Sequence, residues 1–169
     1  MTAAGAKGAH GEEPSYRAVP RVPASAGALI FDDHGRLLVL KPTYKAGWTV
    51  PGGQMEADGE TPWGACRREV YEECGLVVHA GRLRCVDFLR PRADRPGGLR
   101  FLFDCGAVDA AVASTIRLQP GEIAEHLFAD LPEALEMLSR PLARRVRIAL
   151  EQPGVSYLED GRPVAGVTT

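Results

Sequence analysis

The pattern of apolar and polar positions divides the chain into short segments. The stretch Ala24-Ser25-Ala26-Gly27-Ala28-Leu29-Ile30-Phe31-Asp32 is apolar almost throughout and predicts a buried strand, its small residues allowing close packing. Asp33-His34-Gly35-Arg36 predicts a tight turn, with Gly35 supplying a positive φ. Leu37-Leu38-Val39-Leu40-Lys41 is then the return strand of a hairpin, and a short strand around Gly47 to Val50 delivers Pro51-Gly52-Gly53. From Pro62 to Cys74 the period changes. Trp63, Cys66, Val70 and Cys74 fall on one helical face and suit a core, Thr61 is a plausible N-cap, Pro62 is tolerated in the first turn, and Gly75 is a natural stop. Leu76 to Phe88 reads as a long strand or bent hairpin. Arg90 to Gly98, with two prolines, two glycines and four charged residues, reads as an exposed loop. Leu99 to Cys105 alternates as a strand should, Val108 to Ser114 suits a helical turn, and Gln119 to Glu122 is a turn before Ile123 to Leu131. Two amphipathic helices follow, Leu131 to Leu138 and Leu142 to Leu150, the second expected to turn its arginines outward.

These segments predict three regions: a disordered tail over residues 1–18, a single domain over 19–153, and a loosely ordered C-terminal tail over 154–169. A length of 169 residues is enough for one domain with a real core. The net charge of −2 gives no case for a nucleic-acid partner, which needs a basic surface. No apolar run reaches the roughly 18 residues of a membrane span, so no membrane partner is expected. The first residues lack an apolar signal core, and the four cysteines contain no CxxC pair. Reduced, mostly buried thiols in a cytoplasmic protein follow as the expectation.

The candidate chemistry lies in Gly52 to Leu76, GGQMEADGETPWGACRREVYEECGL. On the helix, Glu69, Glu72 and Glu73 stand at i, i+3 and i+4, so three carboxylates share one face. Like charges that close weaken a helix by a few tenths of about 1 kcal/mol per pair unless a cation lies among them. Carboxylates without Cys or His partners suit Mg2+, with Mn2+ possible, better than zinc. Glu-rich helix faces are usually just solvated. Here, however, a Gly-Gly follows a strand, an acidic loop comes next, and Arg68-Glu69-Val70-Tyr71-Glu72-Glu73-Cys74-Gly75-Leu76 closes the segment.

That order resembles the Nudix box. Gly53 opens it, Glu60 takes its first Glu, and seven residues separate Glu60 from Arg68. Six residues, Gln54 to Gly59, separate Gly53 from Glu60, one more than the family spacing; the extra residue lies in the Ala57-Asp58 loop, before the helix. The resemblance implies an α/β fold, a Nudix-like α/β/α sandwich with a mixed β-sheet. It implies divalent-metal-dependent hydrolysis of the diphosphate linkage in a nucleoside diphosphate derivative: a nucleoside triphosphate, ADP-ribose or a nucleotide sugar. It assigns Glu69, Glu72, Glu73 and the carbonyl of Gly52 to the metal, and gives Glu60 and Arg68 a clamp between loop and helix. The general base of this family often comes from outside the box. In Gly121-Glu122-Ile123-Ala124-Glu125-His126, Glu125 is the first candidate and Glu122 the second. Lys41, Tyr44, Lys45, Trp48 and Arg100 are candidates for substrate contact. Many relatives pair, which leaves a homodimer open. Two other readings use the same fold: a nucleotide-binding sensor without turnover, and an isoprenoid diphosphate isomerase, which the four scattered histidines disfavour.

Overall fold

The computed structural model describes residues 21–167. One mixed sheet of eight strands runs through it: β1 (Ala24–Asp32), β2 (Leu37–Pro42), β3 (Gly52–Gln54), β4 (Arg82–Leu89), β5 (Gly98–Val108), β6 (Ile123–Ala129), β7 (Ser156–Glu159) and β8 (Arg162–Pro163). The strands lie in the order β6-β2-β1-β5-β4-β7-β8, and β3 pairs with β1. β1 runs parallel to β5 and β4 parallel to β7; the remaining pairs are antiparallel.

The continuous apolar runs in β1 and β2 have a simple cause: both faces of the sheet are covered. On one face Ala26, Ala28, Ile30, Leu38 and Leu40 pack with Ala65, Cys66, Val70 and Cys74 of helix α1 (Pro62–Cys74). On the other, Leu29, Leu37 and Val39 pack with Ala134 of α3 (Leu131–Met137) and Val146 and Ala149 of α4 (Arg140–Glu151). The result is the α/β/α sandwich expected. A one-turn helix, α2 (Ala110–Ala113), follows β5. The cysteines Cys66, Cys74, Cys85 and Cys105 are free thiols, and burial pushes Cys74 and Cys85 up to about 12. Among the described residues no helix is long and apolar enough to cross a membrane.

Four expectations need correction. The strand placed around Gly47 to Val50 amounts to isolated bridges at Trp48 and Thr49, and the strand of this segment is β3. Residues 76–81 form no strand; the strand begins at Arg82. Residues 156–163, expected to be loosely ordered, are not. β7 adds to the sheet beside β4, Leu158 and Ser156 are buried, and Glu159-Asp160-Gly161-Arg162 closes a hairpin with positive φ at both central residues. Buried Arg84 fastens the approach to β7 by donating to the carbonyls of Ala149, Gln152 and Pro153. Nor do the arginines of α4 all face outward. Arg145 turns inward against fully buried Asp87, with Nε 2.9 Å from Oδ2. The tail expected over residues 1–18 lies outside the described residues.

Candidate active site

Helix α1 forms where its signals stand. Thr61 Oγ1 accepts the Gly64 N–H at 3.0 Å, Pro62 occupies the first turn, and Gly75 ends the helix in the left-handed conformation at φ 69°. Its C-terminal carbonyls are taken by the following chain: Gln119 N–H donates to Glu73 O and Arg117 N–H to Cys74 O. The turn at Gln119–Glu122 is thereby moored to the carboxylate end of the helix. Thr43 holds it from the other side, its N–H donating to Glu122 O and its hydroxyl to Gly121 O.

The box glycines set the depth of the site. Gly52 pairs with Gly27 at φ 144°, and a Cβ there would collide with the backbone of Ala26 and Gly27. Its N–H donates to Glu73 Oε2 at 2.7 Å, the contact this glycine makes with the helix carboxylates. A Cβ on Gly53 would overlap the Glu69 carboxylate, 2.6 Å from Oε2, so the missing side chain leaves room for that carboxylate.

Arg68 is the centre of the charge arrangement. It grips Glu60 with two contacts, Nε to Oε1 at 2.8 Å and Nη2 to Oε2 at 3.1 Å. Its Nη1 donates to Glu69 Oε1 and to Glu72 Oε2, both at 2.9 Å, and Nη2 also donates to the Gln54 carbonyl. The clamp inferred for Glu60 and Arg68 is therefore present. The extra loop residue is absorbed in a turn over residues 57–59, closed by the Glu60 N–H on Asp58 Oδ1 and the Glu56 N–H on Glu60 Oε2. Arg68 holds the Glu60 carboxyl below its ordinary range.

Glu73 is different. It is 5 % exposed, and burial pushes its carboxyl up to about 7; the charges of Glu69 and Glu122 add to the rise, while the Gly52 N–H and Lys45 oppose it. Glu69 is raised too, first by burial, with Glu72 and Glu122 contributing against Arg68. The site is short of positive charge, and its donors are all oxygen, which fits a hard divalent cation. Among the described residues no three such groups converge tightly enough in this conformation to cage an ion. Glu69 and Glu72 are turned to Arg68 instead, and Glu72 is exposed enough to swing.

The two base candidates differ in their surroundings. Glu125 lies on β6 opposite Lys41 and its Oε1 takes the Lys41 ammonium at 2.6 Å. Glu122, in the moored turn, is the carboxylate whose charge reaches Glu69 and Glu73. Among the expected substrate contacts, Tyr44, Lys45 and Arg100 do line a cavity of about 370 Å³ that opens along Gly52, Gly53 and Gln54. Lys41 is spent on Glu125, and Trp48 packs into the core under α3 and α4. Arg145 also lines this cavity and was not expected there, although its spacing of three from Leu142 and four from Ala149 puts it on the apolar stripe.

The model of the NUDIX domain family matches residues 21–148. The chain belongs to that family. A stretch of 47 residues is 53% identical to diphosphoinositol polyphosphate phosphohydrolase 3-alpha of Homo sapiens, and it makes up 28% of each chain. The match thus spans just over a quarter of the length of that curated relative. A MutT NUDIX hydrolase from Burkholderia pseudomallei superposes with a TM-score of 0.60 at 27% identity, covering 79% of this chain and 99% of that one. The NUDIX domain of Shewanella oneidensis NrtR, solved with ADP ribose, shares the fold at 15% identity and a TM-score of 0.65 over 83% of this chain and 93% of that one.

Proposed function

We propose that this Nudix domain hydrolyses the diphosphate linkage of a nucleoside diphosphate derivative with the help of Mg2+ or Mn2+. The observation that carries this reading is Glu73, a nearly buried carboxylate with Glu69 and Glu122 adding negative charge beside it. A diphosphate brings further negative charge and would be repelled without a cation between. Glu69, Glu72 and Glu73, with the Gly52 carbonyl, would hold that cation, which polarises phosphoryl oxygens and acidifies bound water when present.

The chain's own residues supply the rest. The Gly52–Gln54 backbone forms the floor, and the Arg68–Glu60 clamp fixes the loop against the helix. Lys45 and Arg100 hold phosphate oxygens in the cavity, and Tyr44 offers a ring for stacking. Glu122 accepts the proton of the attacking water.

The test is hydrolysis of a panel of nucleoside triphosphates, dinucleotides, ADP-ribose, nucleotide sugars and a diphosphoinositol polyphosphate. Cleavage of one class with Mg2+ that stops with chelator supports the reading. Ligand-induced thermal stabilisation with no turnover of anything would replace it by the sensor reading. On the cleaved substrate, Glu122→Gln is expected to lower kcat by about 10²-fold or more, and Glu125→Gln by only a few-fold. Steady-state kinetics showing the reverse order would return the base to Glu125.

A further inference from the structure

A second cavity, of about 430 Å³, lies beyond Arg145, which lines both it and the cavity next to the box. Arg90, Arg92, Arg95, Arg144, Arg145 and Arg162 line it. The lining holds two carboxylates, Glu159 and Asp160. Glu159 pairs with Arg90, and Asp160 lies 3.1 Å from Arg90 and 3.8 Å from Arg92. Beneath the floor, Asp87 is close enough to Arg145 to pair in charge, though not aligned as a hydrogen bond, and its Oδ1 accepts the Gly161 N–H at 2.8 Å. Six cations against three anions leave a local excess of three positive charges in a chain of net charge −2.

That excess is built into the fold. The walls come from the β4–β5 loop, the first two turns of α4 and the β7–β8 hairpin. The hairpin lies beyond residue 148, where the family match ends. Arg95 Nε is buried with no hydrogen-bond acceptor among the described residues, a donor that an anion in the cavity would satisfy. Arg144 donates to the Asp160 carbonyl and Arg162 makes no ion pair among the described residues, so both retain donors for a ligand. Burial presses on the Arg145 guanidinium; the Asp87 charge opposes it, and Arg95 adds a smaller push.

We propose that this arginine-lined cavity between the β4–β5 loop, α4 and the β7–β8 hairpin is a binding site for a small anion carrying several closely spaced phosphate groups. Such a ligand could be a free oligophosphate or the far phosphates of a substrate seated in the neighbouring cavity, since Arg145 borders both. The site does not depend on the hydrolytic reading, because none of its defining arginines belongs to the carboxylate site.

The test is calorimetric titration of the full chain with inorganic tripolyphosphate, in chelator so that no divalent ion bridges it to the carboxylates. Wild type is compared with Arg95→Ala/Arg162→Ala, Arg95→Lys/Arg162→Lys and Glu73→Gln. The expected result is one site per chain, weakened 10-fold or more in the alanine pair, partly restored in the lysine pair and kept in Glu73→Gln, with unchanged melting in all arginine variants. Equal affinity in wild type and the alanine pair overturns the proposal. So does binding lost in Glu73→Gln but not in the alanine pair, which would place the anion at the carboxylates. On the cleaved substrate of the panel, tripolyphosphate that raises only KM assigns the site to substrate phosphates. A fall in kcat assigns it to a separate effector.

Discussion

Glu73→Gln is expected to abolish metal-dependent hydrolysis while making the metal-free protein more stable at pH 8. Both effects come from one buried carboxylate. Its folded pKa of about 7 lies above the ordinary 4.5, so between those values the folded state binds more protons than the unfolded one. Metal-free stability therefore declines as pH rises from about 4.5 to about 7, and the full penalty is present above that window. A shift of this size corresponds to roughly 3 kcal/mol as an upper bound. Glutamine keeps an acceptor for the Gly52 N–H and removes the charge, so a gain of about 2 kcal/mol at pH 8 and little change at pH 4.5 are expected. Denaturant melts at the two pH values in chelator check this. Added Mg2+ should stabilise wild type at pH 8 and leave the variant nearly unmoved. A variant less stable than wild type at pH 8 would mean that Glu73 serves the fold as an anion.

Gly52→Ala is expected to be the most damaging single substitution in the box loop. The backbone there sits at φ 144°, and the new Cβ would lie 2.6 Å from Gly27 Cα and against the Ala26 carbonyl. The obstruction is backbone on a central strand, so β3 has to leave β1. A loss of about 4 kcal/mol is expected, a large part of the stability of an ordinary domain. Gly53→Ala differs because the new Cβ meets the movable end of Glu69. It should change stability by about 1 kcal/mol or less and lower kcat/KM by displacing that carboxylate. Chemical denaturation beside kinetics separates the two, and equal destabilisation would show that Gly53 is also held by the fold.

How much of this was legible in the residues differs by element. β1 and helix α1 were legible to the residue, because the apolar run, the Thr61 cap, Pro62 and Gly75 all mark the same boundaries. The Arg68–Glu60 clamp survived the longer loop because Asp58 and Glu60 close a local turn that the spacing alone does not reveal. The different surroundings of the two base candidates were not legible in sequence. Lys41 is 84 residues from Glu125, and only the β2–β6 register brings them together. Arg145 was legible in principle from its place on the apolar stripe, but its partner Asp87 lies on another element. The β7–β8 hairpin carried an Asp160-Gly161 signal whose weight was hidden by the short, weakly alternating strands on either side. Its stability comes from pairing with β4 and from Asp87, which are non-local.

The most direct measurement of the central claim is a ³¹P spectrum of the reaction run in ¹⁸O-labelled water with Mg2+. The proposed chemistry predicts two phosphorus-containing products from the broken diphosphate, one carrying a single ¹⁸O, and no products in chelator or with Glu73→Gln. Intact substrate across the whole panel with Mg2+ present, or products whose phosphorus carries no label, would contradict it.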